Sequence, residues 1–203
     1  MASRPWNWNI HHQRVVLDAV PNEAATALDV GSGDGLLAFD LAARGLDVTG
    51  IDLDGESVER ARADARATST ATTFVLGDLF DHPFEPHSFD VVASISMLHH
   101  VDATAGLRRM RELVRPGGTL VVVGFARPST AIDCARVVVG GLVAYAMKFT
   151  GRYWEHNAPT VWPPPCTMHE MRGLVAHELP EARFRGLLPS RYAAVWSAPD
   201  PVL

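Results

Sequence analysis

The chain has little of several features that mark particular classes of protein. Its 203 residues contain only two cysteines, Cys134 and Cys166, which lack the paired spacing of a zinc site. We expect both to be free packing thiols in a reducing compartment, which favours a cytoplasmic protein. The formal net charge of -5 provides no basic surface for a phosphate backbone, so no nucleic acid partner is expected.

Long hydrophobic runs are absent as well. Residues 1–16 are polar and aromatic, whereas a secretory signal needs a basic start and an uninterrupted apolar stretch. The most apolar stretch, 137–147, is shorter than a bilayer-spanning helix and is bounded by Arg136 and Lys148. We therefore expect no stable membrane insertion. Since 47% of the residues are hydrophobic, the length predicts one globular domain, 1–203.

Apolar segments typical of buried strands alternate with helical patterns between residues 27 and 124. This alternation predicts repeated βαβ units around a parallel sheet. Two later segments alternate in the manner of an antiparallel pair at a sheet edge, joined around Pro189 and Ser190. The predicted strands are 26–30, 47–52, 73–76, 89–94, 119–123, 182–188 and 192–198, and the later predicted helices are 104–114, 130–149 and 168–177.

Three glycines, Gly31, Gly33 and Gly35, separate the first predicted strand from the helix that follows it. Such a turn allows the backbone to approach a ligand without an intervening side chain, and it points helix amides at that ligand. A tight turn with no ligand is the alternative. Asp52 ends the next strand, about twenty residues on, where an acid commonly accepts hydrogen bonds from a ribose. This placement favours a ligand that contains a nucleoside.

The glycine spacing, GxGxG, distinguishes two classes of nucleoside cofactor. A dinucleotide fingerprint would need a small residue at position 36, which is Leu. Asp29 lies on the ligand side of the turn, where an anion would repel pyrophosphate and suit an ammonium group. A ligand with a nucleoside, an ammonium and a carboxylate fits better, and S-adenosylmethionine has all three. A nucleotide-dependent oxidoreductase remains the less favoured alternative.

Five motifs in order resemble those of class I S-adenosylmethionine-dependent methyltransferases, in particular small bacterial members with a minimal core. They are LDVGSGDG, VTGIDLD (48–54), LGDLFD (76–81), FDVVASISMLHHVD (89–102) and LVRPGGTLVVV (113–123). The resemblance covers residues 27–123. It implies a Rossmann-like, doubly wound α/β fold with a seven-stranded, mostly parallel sheet and an antiparallel last strand. It also implies methyl transfer from S-adenosylmethionine, with S-adenosylhomocysteine as product, to a small-molecule acceptor.

The resemblance further divides the chain into four segments and assigns the cofactor contacts. The segments are an N-terminal lid helix (1–25), a cofactor-binding core (26–124), a substrate-side cap region (125–180) and antiparallel edge strands (181–198). The implied contacts are Asp29, Gly31, Ser32 and Gly33 at the methionine end, Asp52 and Leu53 at the ribose and adenine, Asp78 and Leu79 at the adenine, and Ser94 and Ile95 near the methionine amine and the sulfonium.

Two histidines directly after the fourth predicted strand, His99 and His100, are the nearest titratable groups that could take a proton from an acceptor. His100 is favoured by the resemblance, and a purely pocket-shaping role is the alternative. Orientation of the acceptor can supply most of the rate, so a base is not indispensable and a non-catalytic S-adenosylmethionine-binding protein is a second hypothesis. Similar quinone-precursor O-methyltransferases carry metal-holding acids where this chain has Ser96 and His99, so no metal is expected.

Aromatic residues and a further histidine are candidates for the acceptor site. Tyr153, Trp154, His156 and Trp162 follow the fifth strand, where the resembling enzymes build their acceptor pocket, and predict an apolar or aromatic acceptor. A satellite core is the alternative. His12 could contact the acceptor from the lid, or it could face solvent with His11 on an amphipathic helix whose inward residues are Ile10, Val15, Leu17 and Val20.

The apolar helix over 132–149 has three interpretations. It could cap the active site, pair with a second copy through Gly140, or associate with a membrane, although no lysine cluster accompanies it. The sequence is therefore compatible with a monomer or a homodimer.

Overall fold

The computed structural model describes residues 6–70, 72–151, 153–154 and 161–200. Its strands are β1 (Thr26–Val30), β2 (Asp47–Asp52), β3 (Thr72–Leu76), β4 (Phe89–Ile95), β5 (Val114–Phe125), β6 (Arg183–Leu187) and β7 (Arg191–Ser197). Its helices are α1 (Trp8–Leu17), α2 (Leu36–Ala42), α3 (Gly55–Thr68), α4 (Ala103–Leu113), α5 (Ala131–Phe149) and α6 (Met168–Glu178), with a 3-10 turn at Leu98–His100.

The strands form one sheet in the order β3-β2-β1-β4-β5-β7-β6. The pairs from β3 to β5 are parallel, whereas β7 is antiparallel to both β5 and β6. The predicted Rossmann-like fold, with a seven-stranded, mostly parallel sheet and an antiparallel last strand, is thereby confirmed.

Helices cover both faces of the sheet because successive strand residues point to opposite sides. Leu120 and Val122 of β5 pack with α4 and α6 on one face, and Val121 packs with α1, α2 and α3 on the other. Strands buried on both faces read as continuous apolar segments, as β4 and β5 do. The doubly wound arrangement therefore follows from two apolar layers that share one sheet.

Pro116, Gly117 and Gly118, which precede the predicted strand 119–123, lie within a longer strand. β5 begins at Val114, and its register against β4 shifts between Phe89 and Val91. Gly117 has a φ of 75°, and a Cβ at Gly118 would stand 2.7 Å from the carbonyl oxygen of Asp90. The three residues thus form an irregularity of β5 instead of a separate turn, because the pairing with β4 resumes on both sides of it.

Helix α5 lies on the surface with much of its apolar side exposed. Ile132, Leu142 and Phe149 are 66%, 64% and 76% exposed, whereas Asp133 and Gly140 are buried. A Cβ at Gly140 would stand 2.8 Å from Cα of Pro189, so its close approach is made within the chain and not to a second copy, which corrects that part of the prediction. Among the described residues no helix is long and apolar enough to cross a membrane.

Adjacent glycines of α5 should respond oppositely to alanine. Gly141→Ala should raise stability by about 0.5–1 kcal/mol, because its Cβ would meet no atom within 4 Å and alanine loses less entropy in a helix. Gly140→Ala should lower stability by about 1–2 kcal/mol, because overpacking against Pro189 exceeds that gain. Urea unfolding measures both, and equal effects of the two substitutions would contradict the packing described for α5.

Candidate functional site

A cavity of about 670 Å³ opens at the carboxyl edge of the parallel strands. Val30 of β1, Asp52 of β2, Ile95 of β4 and Phe125 of β5 line it, and α1 supplies another wall through Asn9 and other residues. The strand order reverses between β1 and β4, which is where open α/β sheets leave a crevice for ligands. The volume suits a small organic molecule.

The glycine turn after β1 forms the floor of this cavity. Gly31, Gly33 and Gly35 have φ values of 74°, 51° and 78°, in the left-handed region that favours glycine. The N–H of Gly33 donates to Oδ2 of Asp52 at 2.7 Å, and the N–H of Asp54 donates to Oδ1 at 2.9 Å. Asp52 therefore fixes the turn from the neighbouring strand while its carboxylate lines the cavity.

Asp29 is the most perturbed acid of the cavity. It is only 2% exposed, and among the described residues its Oδ2 has no hydrogen-bond partner. Burial raises the pKa of Asp29 to about 7, with a further rise from the charge of Asp52 and a partial offset from a hydrogen bond with the Ala38 backbone. Oγ of Ser32, which also lies in the cavity wall, is buried and likewise has no hydrogen-bond partner among the described residues. An unpaired carboxylate oxygen in this position suits a cationic ligand group such as an ammonium.

The other acids and leucines assigned to the cofactor lie along the same wall. Asp52 is the last residue of β2 and Leu53 comes next, while Asp78 and Leu79 follow β3. All four residues line the cavity. Leu53 is 67% exposed although it is apolar, so its side chain is available to cover a flat ligand. The backbone N–H of Phe80 donates to Oδ1 of Asp78 at 2.9 Å, which fixes that carboxylate beside the cavity.

Ser94 does not have the position that the resemblance implied. Its hydroxyl donates to the carbonyl of Val30 at 3.0 Å, and the residue is buried between β1 and β4 away from the cavity wall. Side chains alternate along a strand, so Ile95 faces the cavity instead. The polar group at this end of β4 is Ser96, whose φ of 61° turns its hydroxyl toward Asn9 at 2.8 Å.

Both predicted catalytic histidines line the cavity but differ in burial. His99 is 9% exposed, its ring packs edge-on against Phe125 at 5.0 Å, and its Nδ1 has no partner among the described residues. Burial lowers the pKa of His99 to about 4, helped by the nearby charges of His100 and Arg191. Burial also lowers the pKa of the more exposed His100, which Asp52 partly offsets. Both imidazoles are therefore neutral near pH 7.

Of the described residues of the predicted aromatic pocket, only Trp154 lies in the cavity wall. Tyr153 packs against Trp6 at 5.9 Å and is not part of that wall, and Trp162 is 63% exposed. His156 lies outside the described residues. For the three described residues, the expectation of one acceptor cluster is corrected accordingly, because Tyr153 and Trp154 contact Trp6 and only Trp154 of the three also lines the cavity.

The two predictions for His12 are also corrected. His12 is buried, its Nε2 lies 2.6 Å from the carbonyl oxygen of Leu188, and its ring stacks on Trp8. Burial lowers the pKa of His12 to about 4. The residue borders a separate shallow cavity and not the large one, so it is neither in solvent nor placed to touch an acceptor there. The buried residues of α1 are Trp8, His12, Gln13 and Val16, and Val15 and Leu17, which were predicted to face inward, are partly buried against the core.

Asn9, Phe125 and Arg191 are among the residues of the cavity wall that were missed in the sequence. Arg191 pairs with Phe125 across β5 and β7, and its Nη1 donates to Oγ of Ser96 at 2.6 Å. Only the register of the antiparallel strand brings these residues together. The one signal in the sequence was the charge of Arg191 directly before the predicted strand 192–198. A charged residue at such a position is equally typical of a solvated turn.

Comparisons with known proteins agree with this geometry. A family model described as a methyltransferase domain matches residues 28–122. An uncharacterised methyltransferase of Mycobacterium tuberculosis (strain ATCC 25618 / H37Rv) is 39% identical over 197 residues, which are 97% of this chain and 98% of that protein. The chain belongs to the methyltransferase family. As a methyltransferase, it is an enzyme.

Solved structures share the fold of this methyltransferase. A SAM-dependent methyltransferase from Aquifex aeolicus gives a TM-score of 0.62 at 13% identity, over 91% of this chain and 88% of that chain. Phosphoethanolamine N-methyltransferase 2 of Haemonchus contortus, in complex with phosphomonomethylethanolamine and S-adenosylhomocysteine, gives 0.65 at 20% identity, over 90% of this chain and 39% of that chain. At these identities the likeness establishes the architecture.

The raised pKa of Asp29 predicts a pH-dependent cost to the ligand-free methyltransferase. The folded protein binds this proton more tightly than the unfolded chain, so the contribution of Asp29 to the free energy of unfolding is greatest below pH 4 and is lost as the pH rises through about 7. Asp29→Asn removes the charge. The variant should therefore exceed the wild type in stability by on the order of 3 kcal/mol at pH 8, and by little at pH 4.

Urea unfolding at the two pH values measures this difference. Asp64→Asn is the matched control, because Asp64 is exposed on α3 and the same acid-to-amide change there removes no buried charge. A pH-independent gap between Asp29→Asn and the wild type would show that Asp29 is not a buried, uncompensated acid.

Proposed function

We propose that this methyltransferase transfers a methyl group from S-adenosylmethionine to a small-molecule acceptor in the 670 Å³ cavity. The unpaired Oδ2 of Asp29 beside the glycine turn supports this most directly, because it offers a buried anion where the ammonium of a methionine moiety needs one. A pyrophosphate placed there would meet the charges of Asp29 and Asp52. The same observation therefore counts against a dinucleotide cofactor.

The remaining contacts extend from this point along the cavity wall. Asp29, Gly31, Ser32 and Gly33 would hold the methionine end, while Asp52 has lone pairs left for ribose hydroxyls after it accepts from Gly33 and Asp54. Leu53, Asp78 and Leu79 would enclose the adenine, and Ile95 would lie near the sulfonium. Ser94 is left out of the proposed site because its hydroxyl is engaged by Val30.

The chemical work of the chain is then mainly orientation. S-adenosylmethionine supplies an electrophilic methyl group when it is bound. Phe125, Met97 and Trp154 form apolar parts of the cavity wall, which exclude water and align an acceptor with an apolar or aromatic part. Orientation of this kind is worth up to roughly 7–11 kcal/mol in intramolecular models, whereas a general base adds about 10²- to 10⁴-fold.

His99 and His100 are the proposed proton acceptors. Both are neutral near pH 7, and Nδ1 of His99 has no partner within the described residues. A pKa of about 4 makes His99 a weak base, so His100 keeps the role that the sequence favoured. Loss of either imidazole should slow turnover without abolishing it, because alignment of the acceptor does not depend on a base.

Calorimetric titration with S-adenosylhomocysteine and with NADH tests the proposed cofactor. S-adenosylhomocysteine carries the same ammonium group and should bind, more tightly at pH 7.5 than at pH 5.5, because the ammonium requires ionised Asp29 and its pKa lies at about 7. Asp29→Asn should weaken binding by about 10- to 100-fold at pH 7.5, the value of a charge-assisted hydrogen bond, and should remove the pH dependence.

Asp64→Asn again serves as the control and should bind S-adenosylhomocysteine as the wild type does. Binding of NADH without S-adenosylhomocysteine would overturn the proposed function. An affinity for S-adenosylhomocysteine that Asp29→Asn leaves unchanged would remove Asp29 from the cofactor site.

A further inference from the structure

Arg191 is a buried guanidinium that has no counter-ion among the described residues. It is 5% exposed, lies over the ring of Phe125 with Cζ 3.9 Å from the ring centroid, and makes one side-chain hydrogen bond to those residues, from Nη1 to Oγ of Ser96. Its Nε is buried without an acceptor, and no carboxylate in the described part of the chain forms an ion pair with it. Burial lowers its pKa to about 9, so it is charged at neutral pH.

Two other arginines that contact the body of the protein have carboxylate partners. Arg108 pairs with Glu178 at 2.8 Å and Arg115 pairs with Asp90 at 2.7 Å. Both are far more exposed than Arg191, which holds its charge in a drier setting without a carboxylate partner among the described residues. The ring of Phe125 and the hydroxyl of Ser96 offset part of the free energy that the guanidinium loses by desolvation. A buried cation nevertheless normally requires an anion beside it. No carboxylate of the described residues supplies that anion.

The cavity is where an external anion would reach Arg191. Because β7 runs antiparallel, its first residue lies at the edge where the parallel strands end, and Arg191 lines the same cavity as Asp29. Strands β4 and β5 separate β1 from β7 in the sheet, so the two charges belong to opposite ends of the cavity. The acidic end suits the cofactor. The end near Arg191 also contains neutral His99 and apolar Phe125.

We propose that Arg191 binds an anionic group of the methyl acceptor, so that this enzyme methylates a small molecule that carries a carboxylate or a phosphate. This inference rests on the proposed function of the cavity. A guanidinium presents parallel N–H donors that match the two oxygens of such a group, and Nε has no acceptor among the described residues. Ser96, which accepts from Arg191 and donates to Asn9, is a positioning residue for the guanidinium.

The proposal narrows the class of acceptor. Phe125 and Trp154 suit an apolar or aromatic body, and Arg191 adds a requirement for negative charge, so neutral phenols and simple amines should be poor acceptors. A role of Arg191 toward the carboxylate of the cofactor itself is the main competing assignment. A purely structural role, in which Arg191 only tethers Ser96 and thereby α1, is the other.

Thermal unfolding of the full chain in the presence of small anions separates these assignments. The wild type, Arg191→Gln and Arg191→Lys are compared with and without saturating S-adenosylhomocysteine, in acetate, phosphate or chloride at constant ionic strength. Arg183→Gln is the control, because Arg183 is an exposed arginine on the neighbouring strand β6. Acetate represents an acceptor with a carboxylate and phosphate represents an acceptor with a phosphate group, so the two anions test these two acceptor classes separately.

In acetate or phosphate, relative to chloride, the melting temperature of the wild type and of Arg183→Gln should rise by about 2–4 °C. Arg191→Gln should lose this rise, and Arg191→Lys, which keeps the charge without the fork, should retain less than half of it. All variants should bind S-adenosylhomocysteine within twofold of the wild type. General effects of each anion on protein stability cancel in these differences between variants.

The same rise in the wild type and Arg191→Gln, or no rise in either, would overturn the proposal and leave Arg191 with a structural role. A tenfold loss of S-adenosylhomocysteine affinity in Arg191→Gln would assign the guanidinium to the cofactor carboxylate, and would overturn it as well. Failure of the wild type to bind S-adenosylhomocysteine contradicts the proposed function, whereas the anion series without the nucleoside still tests Arg191.

Discussion

Two charged side chains of opposite sign, Asp29 and Arg191, are buried in one cavity, and neither forms an ion pair with a described residue. The site depends on this constraint. Each charge costs folding free energy because burial removes its hydration. The pKa of Asp29 is raised to about 7 and that of Arg191 is lowered to about 9, both chiefly by desolvation. Bound ligands that bring an ammonium to one end and an anion to the other would offset both costs.

The fold places these charges by simple rules of strand direction. Parallel strands deliver Asp29 near the glycine turn and Asp52 beside it, since the carboxyl ends of β1 and β2 meet at one edge of the sheet. The reversed strand β7 delivers its first residue, Arg191, to the same edge. The antiparallel strand thus does more than close the sheet, because it adds a basic group to an edge whose parallel strands contribute acids.

Sequence patterns predicted the sheet and the acidic half of the cavity, because those features are local: Gly33 and Asp52 are joined across one βα unit. The other half depends on contacts between distant residues, such as Ser96 with Asn9 and with Arg191, which no spacing rule encodes. Because side chains alternate along β4, Ile95 faces the cavity whereas the hydroxyl of Ser94 bonds to Val30. The burial of His12 was missed because its partner, the Leu188 carbonyl, lies in the C-terminal hairpin.

Proton release on cofactor binding tests the central claim most directly. Calorimetry of S-adenosylhomocysteine binding at pH 6, in two buffers with different ionisation enthalpies, gives the number of protons exchanged. We expect a net release approaching one proton in the wild type, because the ammonium converts protonated Asp29 to its ionised form, and no release in Asp29→Asn. Binding without proton release in the wild type would contradict it.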